Sequence, residues 1–270
     1  MSWVKRELNR LGIPPLKRFG QHFLIDKRIR DAMITAAEPT GEDRILEVGP
    51  GLGFLTEELV RQAGQVVAVE KDRTLAKYLK DHFMRVRNLT VIHGDALTVE
   101  TSGFTKLVSS PPYNISSKLV LFITRSHFKS AVLLFQDEFV KRLTAISGSR
   151  EYGRLTVALQ AYANAEVIMK APRSVFYPSP KVDSALITIT PRNDTVQIND
   201  PSLFEDLVRS LFSQRRRKLS TVLRKYLENK YPSSFSSVLS QLIIPEKRVY
   251  QMNPNELIEL ANEITITLAA

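Results

Sequence analysis

Arg44-Ile45-Leu46-Glu47-Val48 runs straight into Gly49-Pro50-Gly51-Leu52-Gly53, after which Phe54, Leu55, Leu59 and Val60 recur at helical spacing. A short apolar run, a glycine turn and an amphipathic stretch in this order predict a buried strand, a loop and a helix over 54–63. Glycines in that context let backbone approach a ligand at a helix N-terminus. The spacing is not G-x-G-x-x-G, because position 54 is Phe, so the loop alone also fits a plain strand-to-helix turn.

The pattern extends on both sides. Upstream, Ile29, Ala32, Met33, Ala36 and Ala37 predict a helix over 29–38, punctuated by Pro39-Thr40-Gly41. Downstream come a strand at 65–69 ending in Glu70, a helix near 72–83, and a strand at 89–92 closed by His93-Gly94-Asp95. Further strands are expected at 106–109 and 131–135, with a β pair from 166–170 and 184–190. Strand, turn and helix at this spacing are βαβ units, hence an α/β fold with a mostly parallel sheet and helices on both faces. An antiparallel pair at its end makes the sheet mixed. After Pro191 a connector over 192–201 leads into helical periodicity, as in Leu203/Phe204, Leu207/Val208 and Leu211/Phe212. The expected division is a catalytic domain over 1–190 and a small all-α domain over 191–270.

Three strand ends carry chemistry. Glu70 lies 21 residues after Gly49, where a carboxylate accepts both hydroxyls of a ribose, and Asp95 is placed to accept from an exocyclic adenine amine. Loop and two carboxylates together describe a site for an adenosine-containing ligand at the carboxyl edge of the sheet. On the fourth strand end, Ser109-Ser110-Pro111-Pro112-Tyr113 combines stiff, donor-poor backbone with an aromatic plate. That suits a flipped base, stacked on Tyr113 with its amine hydrogens given to acceptors at Ser110 and Pro111.

Composition narrows the chemistry. The chain has no cysteine, and His22, His82, His93 and His127 stand far apart, so thiolate chemistry and a transition-metal site are not expected. Of the net charge of +10, residues 1–30 hold +6 and residues 203–230 hold +5, leaving the remainder at −1. Charge gathered at two segments points to a polyanionic partner. No apolar run reaches membrane-spanning length, and Met1-Ser2-Trp3-Val4-Lys5-Arg6-Glu7 shows no apolar signal core, so a cytoplasmic protein without membrane contact is expected.

With these residues assembled the chain resembles the class I S-adenosylmethionine methyltransferases, with their Rossmann-like sheet, and among them the ribosomal RNA adenine N6-dimethyltransferases of the small-subunit type. The resemblance rests on Lys17-Arg18-Phe19-Gly20-Gln21-His22-Phe23-Leu24, Glu47 through Thr56, Gly94-Asp95-Ala96-Leu97, Phe176 through Ala185, and Leu211 through Lys218, which is similar to that family's basic helix. It implies S-adenosyl-L-methionine as methyl donor, with no metal. His22 and Leu24 would close over the cofactor, Gly49 and Gly51 line its methionine end, Glu70 hold the ribose, Asp95 the adenine, and Ser110, also beside the cofactor, through Tyr113 the target adenosine. Lys17, Arg18, Arg215, Arg216, Arg217 and Lys218 would bind RNA. The implied reaction is dimethylation of N6 on two adjacent adenosines in a hairpin loop near the 3′ end of small-subunit rRNA, by a monomer, in small-subunit biogenesis. Ser110 departs from the family's usual Asn, offering a shorter hydroxyl in place of a fixed carbonyl. Ser-Pro-Pro-Tyr also resembles DNA amino-methyltransferases, and a non-catalytic assembly factor on the same scaffold is a third reading.

Overall fold

A computed structural model describes residues 3–16, 20–99, 101, 103–193 and 196–269. The first part of the chain contributes α1 (Trp3–Leu11), β1 (Phe23–Leu24), α2 (Lys27–Ala37), β2 (Arg44–Val48), α3 (Thr56–Gln62), β3 (Gln65–Glu70), α4 (Arg73–His82), β4 (Leu89–His93), β5 (Lys106–Ser109), α5 (Ser116–Thr124) and β6 (Ser130–Gln136). Then follow α6 (Asp137–Leu143), α7 (Arg154–Gln160), β7 (Ala163–Ala171), β8 (Phe176–Tyr177), β9 (Ser184–Pro191), α8 (Pro201–Ser213), α9 (Leu219–Lys230), α10 (Phe235–Gln241) and α11 (Pro254–Ala269).

The seven-stranded sheet has the order β4-β3-β2-β5-β6-β9-β7. Strands β4 through β6 in that order are parallel, and β9 runs antiparallel to β6, giving the expected mixed sheet. β2 pairs with β3 on one side and β5 on the other. The direction of winding therefore reverses at β2, and a crevice opens at the carboxyl ends of the strands beside it. The strands read as continuous apolar runs because helices cover both faces. Ile45, Leu46, Val66, Leu107, Val108 and Val132 are fully buried or nearly so. Side chains of α2 and α3 pack on one face, including Met33, Ile34 and Leu59. Val4 and Leu8 of α1 join Leu52, Leu75 and Leu79 in a second cluster beside the glycine loop. Helix starts follow side-chain caps: Asp26 accepts from the backbone N–H of Arg28 and Ile29, and Asp72 from Thr74 and Leu75.

The chain divides into two compact units, residues 1–140 with 165–191, and residues 141–164 with 192–270. The second unit thus reaches further back than a boundary at 190/191. Tyr152 and Val157 are fully buried and join Leu207, Leu211, Leu223 and Leu257 in one helical core, and the Tyr152 hydroxyl donates to the Met252 carbonyl at 2.8 Å. Segment 141–164 supplies part of the core that the tail helices need. Among the described residues no helix is long and apolar enough to cross a membrane.

Candidate active site

The glycine loop leaves β2 with Gly49 at φ +71° and Gly51 at φ +62°, a backbone region that side chains other than glycine rarely adopt. Close approach also disfavours a side chain at both positions. A Cβ on Gly49 would lie 3.1 Å from Cδ of Pro112, and one on Gly51 would lie 3.0 Å from the Phe23 ring. The loop is therefore pressed between the Ser110–Tyr113 segment and the N-terminal strand β1.

A cavity of about 270 Å³ opens there. It is lined by His22, Leu24, Gly49, Gly51, Glu70, Asp95, Ser110, Pro111, Pro112 and Tyr113, so the structure gathers every site residue read in the first unit that it describes. Lys17 and Arg18 lie outside the described residues.

Long-range pairing brings the N-terminal segment in. β1 pairs antiparallel with β8, setting Phe23 opposite Tyr177 and Leu24 opposite Phe176. The Nδ1 of His22 donates to the Pro178 carbonyl at 2.7 Å, since a carbonyl can only accept. The His22 ring stacks on Tyr113 with centroids 5.6 Å apart, and the Phe176 ring lies nearly perpendicular to the tyrosine at 6.3 Å. The Tyr113 hydroxyl shares a 2.8 Å hydrogen bond with Ser184 Oγ, which fixes the ring from β9. Tyr113 is half-buried, and that burial raises its phenol above the usual range. The Pro112 carbonyl accepts from Ile115 N–H at 3.2 Å, whereas the Pro111 carbonyl meets no donor among the described residues.

The carboxylates differ in environment. Glu70 is buried, its two oxygens accepting from the backbone N–H of Gly51 (3.0 Å) and Asp72 (2.8 Å). Burial outweighs these bonds and pushes its carboxyl up to about 7. A carboxylate offers about four acceptor positions, so room remains for ligand hydroxyls. Asp95 sits at the rim. One oxygen accepts from Leu97 N–H at 3.1 Å and the other pairs with Lys71 at 2.9 Å, and the Lys71 ammonium, followed by that N–H, holds its carboxyl below the usual range.

Glu47 is the residue to which sequence reasoning gave no role. It lines the same cavity, only 2% exposed, and accepts from the Thr56 hydroxyl at 2.7 Å. Burial, reinforced by the charge of Glu70, pushes its carboxyl up to about 8. The signal was present: a glutamate inside an otherwise apolar, fully buried strand is costly unless it serves something.

The basic run belongs to the second unit and is not helical. α8 ends at Ser213, and residues 214–218 form the turn before α9. This departs from the basic helix of the resemblance. The turn's backbone is claimed elsewhere, with Val249 N–H donating to the Arg217 carbonyl and Tyr250 N–H to that of Arg215. The Arg215 guanidinium is spent on the carbonyls of Tyr152 and Arg150. Arg216, Arg217 and Lys218 are exposed. Among the described residues, no group of three or more His, Cys, Asp or Glu is placed to hold a metal ion.

A mixed sheet whose winding reverses at β2, with a glycine loop and acidic strand ends around one cavity, is the architecture of a class I methyltransferase. A family model described as ribosomal RNA adenine dimethylase matches residues 16–265. The chain is 41% identical over 256 residues to "Probable ribosomal RNA small subunit methyltransferase A" of Pyrococcus abyssi, covering 94% of this chain and 93% of that one. It is 41% identical over 247 residues to the protein of the same name in Methanosarcina acetivorans, covering 90% and 91%. Among solved structures, a dimethyladenosine transferase from Plasmodium falciparum superposes with a TM-score of 0.82 at 30% identity, covering 91% of this chain and 98% of that one. The 23S rRNA methyltransferase ErmE gives 0.67 at 28%, covering 90% and 99%. The chain belongs to the ribosomal RNA adenine dimethylase family, and it is an S-adenosylmethionine-dependent methyltransferase.

Proposed function

We propose that this enzyme transfers two methyl groups, one at a time, to N6 of each of two adjacent adenosines in a hairpin loop near the 3′ end of small-subunit rRNA, acting as a cytoplasmic monomer in subunit biogenesis. The observation that carries this reading is the single cavity in which Gly49, Gly51, Glu70, Asp95 and Ser110 through Tyr113 meet. The relatives named for the small subunit favour that target over the large one. Incubating the chain with labelled cofactor and immature small subunits, large subunits or duplex DNA tests it. Label in small-subunit rRNA supports the assignment, and label confined to either other substrate overturns it.

The cavity fits S-adenosylmethionine. When bound, its sulfonium supplies an electrophilic methyl group. Glu70, with acceptor positions to spare, holds the ribose hydroxyls, and Asp95 accepts from the adenine amine. Gly49 and Gly51 let backbone reach the methionine end, where the buried Glu47 carboxylate suits a cationic α-ammonium. His22 and Leu24, anchored by β8, close the near side.

The target amine is a poor nucleophile because its lone pair is delocalised into the purine ring. The Pro111 carbonyl, which meets no donor among the described residues, and the Ser110 hydroxyl accept its hydrogens, favouring a tetrahedral nitrogen, while the Tyr113 ring holds the base's face. Alkylation makes that nitrogen acidic enough to lose its proton to water or a nearby acceptor. Loop adenosines are the cheaper substrate, since they splay out without breaking pairs.

One pH effect follows directly. At pH 7 the free chain holds both glutamates at least partly protonated, since burial pushes Glu47 up to about 8 and Glu70 up to about 7. Ligand hydroxyls on Glu70 and a cation facing Glu47 both favour the ionised form, so cofactor binding lowers both values. Binding at pH 7 is expected to release on the order of one proton. The release fades above about pH 9, where both groups are already ionised. Calorimetry in buffers of different ionisation enthalpy measures this directly, and no release at pH 7 would take both glutamates out of the cofactor's reach.

A further inference from the structure

Lys71 follows Glu70 at the end of β3 and reaches across to Asp95, just beyond the end of the neighbouring strand β4, with Nζ 2.9 Å from Oδ2. Both residues line the cofactor cavity. Asp95's other oxygen is held by Leu97 N–H, so the carboxylate is fixed at both ends. An aspartate's terminal torsion is broad and two-fold, so a single contact sets its plane loosely and contacts to both oxygens narrow it. The Lys71 side chain is 58% exposed and that of Asp95 32%, which places the pair at the rim, where its strength depends on salt.

We propose that Lys71 is a positioning residue for the adenine end of the cofactor, clamping the Asp95 carboxylate so that its remaining acceptor positions face the 6-amino group. This rests on the assignment of Asp95 to adenine made above. Besides Lys71, Asp95 is faced by Lys118 of α5, and Glu70 stands on the adjoining strand end. The amine donates to an ionised carboxylate, so affinity falls as pH drops through the Asp95 range. Lys71 depresses that range, and removing the ammonium moves the loss to higher pH.

Calorimetry of the full chain with S-adenosylhomocysteine provides the test. Lys71→Met is expected to bind about fivefold more weakly than the parent at low salt, to lose most of that difference at high salt, and to lose the part of its affinity that depends on the 6-amino group at higher pH than the parent does. Lys71→Arg restores affinity. The penalty disappears for an analogue carrying hydrogen in place of the 6-amino group. Lys71→Met binding within twofold of the parent at low salt overturns the clamp, as does an equal penalty for the analogue, which would mark a general structural role. Asp95→Ala, which leaves no side-chain acceptor, separates the two levels of inference. If it too binds like the parent, Asp95 does not meet adenine and the site assignment fails with the clamp. If it weakens binding while Lys71→Met does not, the clamp alone fails.

Discussion

Tyr113→Ala is expected to bind S-adenosylmethionine within a few-fold of the parent chain and to lose methyl transfer by roughly 10²–10⁴-fold. The ring has three contacts, the His22 stack, the perpendicular Phe176 ring and the hydroxyl bond to Ser184. None of these is a contact of the glycine loop, Glu70 or Asp95, and His22 keeps its bond to the Pro178 carbonyl when the stack is lost, so the cofactor loses at most a few-fold in affinity. What disappears is the plate that fixes the base's face. Losing a stack on one base costs about 1–3 kcal/mol, and the freed base no longer presents its amine in line with the methyl group, which adds further loss. Tyr113→Phe separates ring from hydroxyl. It keeps the plate, gives up the Ser184 bond, and is expected to retain activity within about tenfold, because a neutral hydrogen bond contributes about 1 kcal/mol. Single-turnover methylation of small subunits, with cofactor affinity measured alongside, distinguishes these outcomes. An Ala variant that turns over normally removes the stacking role.

Local patterns made the centre of the fold legible. The strand at 44–48, the glycine loop and the strand at 65–70 stand where apolar runs and glycines placed them, because a parallel sheet covered on both faces forces continuous hydrophobic strands. Glu70 and Asp95 could be read because each punctuates such a run. The carboxyl-edge location of the site followed from the same βαβ logic and needed no tertiary information.

Features made by distant pairing were not legible. β1 has two residues and no sequence signature; it exists because Phe176 and Tyr177, some 150 positions away, offer it partners. The Pro178 carbonyl that fixes His22 is equally remote. Segment 141–164 gave no sign of its allegiance, since Tyr152 and Val157 read as ordinary apolar residues until the tail helices close around them. Glu47 is a different case: a carboxylate within a strand expected to be buried is costly and so was legible, whereas its bond from the Thr56 hydroxyl and its place on the cavity wall depend on the tertiary fold. In the basic run, composition suggested the polyanion but not the geometry, because competition from 247–250 for the turn's backbone decides that these residues leave the helix.

That geometry divides the run by role, and the division predicts opposite behaviour within four consecutive residues. Replacing Arg216, Arg217 and Lys218 together by alanine is expected to weaken binding to small-subunit rRNA by about 10²–10³-fold near 0.1 M salt and to reduce the salt slope by roughly 2–3. Each exposed cation that meets a phosphate displaces about one condensed counterion, so the loss scales with the number removed. The fold should tolerate the change. The turn is held by backbone bonds from Val249 and Tyr250, which the substitutions leave in place. Arg215→Ala should do the reverse. Its guanidinium ties the turn to the carbonyls of Arg150 and Tyr152, so its loss leaves acceptors unpaired and lowers the melting point, with little effect on the salt slope. Cofactor affinity should be unchanged in the triple variant, since none of the three residues lines the cavity. Filter binding across a salt series, together with thermal melts, resolves the two behaviours. A triple variant with the parent's salt slope would show that these side chains meet no phosphates, and the rRNA contact would then have to be sought elsewhere.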